Sequence, residues 1–173
     1  MAYFSDLTSY CYLEDMPAAK NVGWLRQGHE FDTMAPTEET LDLLWSFCSF
    51  PVLRMRGIHQ CDLCAIPQAV TVVRNGATLM LGTGEIRVFS SEPDTSVLKR
   101  ALGHTESGGL FFLSRSPLAW SIFAAPTLIY HYVQTHHYKP PDEFLRAMKE
   151  GPKPPDPEYF ERLQKLDLER HKM

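Results

Sequence analysis

Much of what would announce a function is missing from this 173-residue chain. No stretch is apolar for long enough to span a bilayer. The longest candidate, Leu118 to Val133, is broken by Pro126 and carries His131. The N-terminus lacks the basic start and apolar run of a secretory signal, so a cytoplasmic location is expected. Basic residues are outnumbered, 17 Lys and Arg against 21 Asp and Glu, for a net charge of −4. That balance disfavours nucleic acid, whose binding rests on neutralised phosphates. Arg54, Arg56 and Arg74 do not interleave with aromatics as a single-strand binder requires. There is no Gly-x-Gly-x-x-Gly, P-loop, Gly-x-Ser-x-Gly or His-Glu-x-x-His, which removes the usual signals of nucleotide and hydrolase chemistry. Gly82-Thr83-Gly84-Glu85 is followed by neither lysine nor helix start and reads as a turn rather than a phosphate cradle. Cysteine is scarce too, at four residues, and in a reducing compartment these point to metal or free thiols rather than disulfides.

What is present suits a folded chain. Apolar residues make up 44% and charged residues 22%, enough for a buried core. Short extended pieces are expected at Ser9–Leu13 and Val22–Leu25. Thr37-Glu38-Glu39-Thr40 is a helix-capping pattern, and Leu41, Leu44, Trp45 and Cys48 follow at helical spacing, predicting a helix over 38–49. Asn75-Gly76 supplies two positive φ angles between Ala69–Arg74 and Ala77–Leu81, predicting a hairpin. Gly82-Thr83-Gly84 then turns into Glu85–Phe89, where Ile86 and Val88 alternate with Glu85 and Arg87, so one face should be buried and the other wet. Further on, a short helix is expected at Ser96–Leu102, a strand at Leu110–Leu113, and a loop or short helix near Leu118–Phe123. Helices follow at Thr127 to about His137, with Pro126 in its first turn, and at Asp142–Lys149. The expected class is α+β, a small antiparallel β-meander with helices on one face. Residues 1–150 form one domain, 151–157 a stiff Pro-rich linker, and 158–173 an amphipathic helix that must dock on its own domain or on a partner.

Arg56-Gly57-Ile58-His59-Gln60-Cys61-Asp62-Leu63-Cys64 carries the sharpest chemistry. A Cys-x-x-Cys turn offers one metal ion two thiolates, as in structural zinc sites, but it is half a site. The remaining donors are sought among His59, His131, His136, Cys48 and His104. His59 must fold back sharply to reach the same ion or else orient the site from outside. His131 lies on a helix expected to pack near the sheet. His131 and His136 are five residues apart, and both binding one ion requires the helix to end between them. The expected set is Cys61, Cys64, His59 and His131 around zinc. Cys48 reads better as a small core residue, and Cys11 carries no signal. A thioredoxin-like role is weaker, because Ala65-Ile66-Pro67 leads into a hairpin rather than a helix. His104-Thr105-Glu106 has the His-x-Glu form of zinc deaminases, yet it follows the cysteine pair instead of preceding it and lies in a glycine-flanked polar loop.

As a set, the residues resemble a family of small bacterial proteins of uncharacterised activity. The pieces are Tyr3-Phe4-x-Asp6-Leu7-Thr8-x-Tyr10, Asn21-Val22-Gly23-Trp24-Leu25, Gly28-His29-x-Phe31, Arg56-Gly57-x-His59-x-Cys61-x-x-Cys64 and Gly82-x-Gly84-Glu85-Ile86-Arg87-Val88. Ala125-Pro126-x-Leu128-Ile129-Tyr130-His131-Tyr132-Val133 completes them, with His136, Tyr138, Pro140, Pro141 and Phe144 following. The chain departs from that pattern by extra residues between Val88 and Ala125 and by everything after 150. The resemblance implies a zinc-type site and no known reaction.

The expected function is accordingly non-enzymatic. It is a zinc-stabilised domain that binds a protein partner, such as a toxin or effector that an immunity protein or antitoxin would neutralise. The alternative is a zinc-dependent hydrolase or deaminase with His104, Glu106 or His131 near an open metal position.

Overall fold

The computed structural model describes residues 3–10, 19–54, 57–64, 68–93 and 120–166. The expected pieces at Ser96–Leu102 and Leu110–Leu113, together with His104, Glu106 and Cys11, lie outside them. Strands β1 (Ala19–Asn21), β2 (Thr71–Arg74), β3 (Ala77–Met80), β4 (Glu85–Pro93) and β5 (Trp120–Pro126) combine with helices α1 (Glu38–Cys48), α2 (Ile129–His136), α3 (Asp142–Glu150) and α4 (Pro157–Lys165). The class is α+β, as the sequence implies. The three consecutive strands divide, however, between two sheets. Among the described residues β2 pairs only with β3, while β4 pairs antiparallel with β5, and β5 pairs parallel with β1.

Local chemistry accounts for several boundaries. Thr37 caps α1, its hydroxyl accepting from the Thr40 amide at 3.1 Å. Leu41, Leu44, Phe47 and Cys48 form its buried stripe, each large apolar side chain contributing about 1.5–3 kcal/mol by leaving water. Asn75 (φ 50°) and Gly76 (φ 76°) make the β2–β3 turn in the left-handed conformation that the dipeptide favours. The apolar stretch from Trp120 is strand rather than loop or short helix, because it runs between β1 and β4 with Phe123 and Ala124 fully covered. Pro126 ends β5 opposite Glu85 instead of opening a helix. Lacking an N–H, it suits the last rung of a ladder, and α2 begins three residues later.

The wet face expected on β4 does not exist. Glu85 and Arg87 are 1% and 0% exposed, no less buried than Ile86 and Val88. They are matched to each other: Arg87 Nη1 donates to Glu85 Oε2 at 2.7 Å. Tyr10 donates its hydroxyl to the same carboxylate at 2.9 Å and lays its ring 4.9 Å from the guanidinium. Burial is tolerated because the two charges are partnered.

α3 covers the sheet through Phe144, edge-on to Phe123 at 5.8 Å, and α1 packs on α2 and α3. α4 docks on this same core. Its Tyr159 is fully buried against Phe47 and Phe89. Among the described residues β4 is an edge strand, and α4 satisfies carbonyls along it. Tyr159 donates to Arg87 O at 3.1 Å, and Arg162 Nη1 donates to Ser90 O at 2.9 Å.

Candidate metal centre

Two elements distant in sequence deliver the donors. The turn 61–64 brings Cys61 and Cys64, and α2 brings His131 and His136. The glycine turn after β3 joins them. His59 donates its amide to Gly82 O at 2.8 Å, Gly82 donates its own to Thr127 Oγ1 at 2.9 Å, and Thr127 donates to Gly84 O at 3.0 Å. One short segment thus grips both the approach to the cysteines and the residue that leads into α2. Gly82 has φ +77°, and a Cβ there would lie 2.1 Å from His59 O, so only glycine permits the approach.

The four donor atoms lie within 4.8 Å of one another and form a group that can hold a metal ion. Cys64 Sγ is 3.1 Å from both His131 Nε2 and His136 Nε2, and Cys61 Sγ is 3.3 Å from His136 Nε2. The far nitrogen of His131, Nδ1, sits 3.1 Å from the Thr135 hydroxyl. Such a contact orients the ring and leaves Nε2 turned toward the sulfurs. Cys61 and His131 are 3% and 8% exposed, while Cys64 and His136 are half-buried.

Burial decides the protonation of this group. It lowers His131 to about 4, with His136 beside it adding to the effect, and it lowers His136 as well. Burial also pushes the Cys61 thiol up to about 11. At neutral pH both imidazoles are therefore neutral, with lone pairs free to coordinate. A cation between the donors would reverse the preference of the thiol, because a metal deprotonates a coordinating thiol.

His136 joins the group although the five-residue spacing argued against it. At 3.6 residues per turn, two such positions point about 140° apart. The helix does not end between them; it runs through His136. Its last turn is wide instead: His137, in the left-handed conformation at φ 56°, donates its amide to Tyr132 O five residues back, and Tyr138 donates to the same carbonyl at 3.0 Å. The two rings meet edge-on at 5.0 Å, and both reach the Cys64 sulfur.

Of the expected set, Cys61, Cys64 and His131 come together and His59 stays outside the group. The backbone of His59 is committed to Gly82, and its role there is to fix the turn. Cys48 is a core residue at 3% exposure, its thiol 3.6 Å from Thr127 O and pushed up to about 12 by burial. The signal that could have found His136 was its place in the motif set, immediately after the Ala125–Val133 piece.

Among the described residues no helix is long and apolar enough to cross a membrane. No curated protein and no solved structure matches the chain. A family model described as "Domain of unknown function (DUF7919)" matches residues 2–99 and 112–149, covering all four donor residues and all five strands. This chain belongs to the DUF7919 family.

Proposed function

We propose that the chain is a zinc-clipped, non-enzymatic domain that works by binding another protein. The observation that carries the zinc reading is the donor set, two thiols and two imidazoles within 4.8 Å. Two sulfurs and two nitrogens suit zinc among the biological divalent ions. A tetrahedral zinc, with Zn–S about 2.3 Å and Zn–N about 2.0 Å, places sulfur and nitrogen about 3.5 Å apart. The observed 3.1–3.3 Å contacts need only a small expansion to admit the ion. Four protein donors fill a tetrahedron, whereas catalytic zinc reserves a position for water. That favours a structural clip over the hydrolase or deaminase alternative.

Metal analysis and X-ray absorption on the purified protein test this. One zinc per chain with two sulfurs and two nitrogens is expected. A first shell with a water oxygen in place of one donor would restore the enzyme reading.

The partner is proposed to be a basic protein, a toxin or effector held inactive by direct contact. The supporting features are the net charge of −4 and the apolar side chains left in water on the β2–β3 hairpin, Val73 and Met80 at 71% and 51% exposure. Co-expression with the product of the neighbouring gene, followed by size-exclusion chromatography, should yield a one-to-one complex that weakens with salt. A product that neither co-elutes nor loses toxicity would sink the immunity reading and leave the zinc reading standing.

A further inference from the structure

Among the described residues, two fully buried side chains of the larger sheet keep polar atoms without a hydrogen-bond partner: Oδ1 of Asn21, and Nε and Nη2 of Arg87. Such atoms are destabilising when left unpaired. The strand register puts the two residues in one row. Asn21 is the Cα partner of Ala124 on one side of β5, and Arg87 is its Cα partner on the other. Residues paired across strands share a face of the sheet, so both side chains rise on the same face, with the Ala124 methyl between them. Two strand spacings set their backbones about 10 Å apart.

The Asn21 amide is not free to turn over. Its Nδ2 donates to Thr8 Oγ1 at 3.1 Å and to Ser9 O at 3.0 Å. A backbone carbonyl only accepts, so Oδ1 is fixed as the unused acceptor. At the other end of the row Arg87 Nη1 is taken by Glu85 Oε2 and Ile86 O, which leaves the Nε–Nη2 edge. Tyr10 roofs the row. Its amide donates to Ala19 O at 2.7 Å, beside β1, while its hydroxyl reaches Glu85 on β4 and its ring lies 4.9 Å from the guanidinium. The side chain therefore crosses above β5.

We propose that Asn21, Ala124, Arg87 and Tyr10 enclose an internal water site that bridges β1 to β4. One acceptor on Asn21 and two donors on Arg87 call for a molecule that both donates and accepts, and about three polar partners is usual for a buried water. A cation would be repelled by the guanidinium. An anion would meet the Asn21 oxygen and the Glu85 carboxylate as well as the arginine. All four enclosing residues are buried, which suits water better than a larger ligand. The bridge ties together two strands that share no ladder.

The test is a high-resolution crystal structure of the full chain grown with bromide, joined to urea titrations of Ala124→Ser. A water oxygen about 2.7–3.2 Å from both Asn21 Oδ1 and an Arg87 nitrogen is expected. In Ala124→Ser the new hydroxyl should take the place of that water, keeping the unfolding constant within about twofold of wild type. A hydroxyl set among apolar atoms would instead raise it about tenfold or more, and that result would overturn the bridge. So would an anomalous bromide peak at the site, a water bound to only one of the two residues, or direct contact between Asn21 Oδ1 and Arg87. If the variant fails to fold, the wild-type structure still decides the matter.

Discussion

Two of the buried polar clusters among the described residues are composed in opposite ways. Around Glu85 and Arg87 the charges of both signs come from the chain itself, 2.7 Å apart, with Tyr10 completing the carboxylate. At Cys61, Cys64, His131 and His136 there are only electron-pair donors, and burial drives Cys61 and both imidazoles toward their neutral forms. The first cluster holds charges of both signs, though Arg87 Nε and Nη2 find no partner, while the second is complementary to a cation that the sequence does not encode. Solvent conditions should therefore act on one and leave the other alone.

The largest expected effect breaks the second cluster. On the proposed zinc reading, chelation, or Cys61→Ser or Cys64→Ser, should remove most of the native stability, because structural zinc contributes on the order of 10 kcal/mol to folding. Thermal melts with and without chelator check this; unchanged melting in both variants would refute the metal claim. Next in size is Arg87→Met, which leaves Glu85 buried without its cation and should cost about 3–5 kcal/mol in urea titrations. That loss should be the same in metal-loaded and chelated samples if the clusters are independent. Gly82→Ala joins the two, since the φ of +77° and the His59 carbonyl both oppose a side chain. The backbone strain should cost about 1–3 kcal/mol, and zinc should bind more weakly because the bracket between turn and helix shifts. No change in zinc affinity would show that the bracket does not hold the site.

Asp6→Asn should have the smallest effect and sharpens the contrast through pH. Asp6 accepts from the Gly23 amide at 2.9 Å and the Tyr138 hydroxyl at 2.7 Å, and burial raises its pKa. A carboxylate with a raised folded pKa holds its proton more tightly when folded. Wild-type stability relative to D6N should thus be greatest at low pH and fall as pH rises from about 3.9 through the folded value. A flat difference across that acid window would count against a buried, strained carboxylate.

How far the sequence could be read follows the same division. Features set by neighbours in the chain were legible: the Thr37 cap, the Asn75-Gly76 turn, and the helices starting at Glu38 and Asp142. So was the cysteine half of the donor group. What failed depended on which groups meet across the fold. Alternation in β4 said where charge lies, but nothing local told that Arg87 would be covered by Tyr10, 77 residues earlier in the chain, and not by water. Likewise, ideal helical geometry separates His131 from His136 by about 140°, yet both side chains converge on Cys64. His59, two residues before Cys61, stays outside the donor group, with its amide bonded to Gly82 O.

The docking of α4 has a consequence for anyone who shortens this chain. The family match stops at residue 149, which makes a cut there look harmless. Such a cut would strip Tyr159 and Arg162 from the carbonyls of Arg87 and Ser90 and uncover a bare strand margin able to recruit other copies. A trimmed protein would then be prone to stick to itself, and its lost or gained companions would say little about the intact one. The terminal helix works as a guard rail for the sheet, and binding surfaces are better probed by point changes that leave it in place.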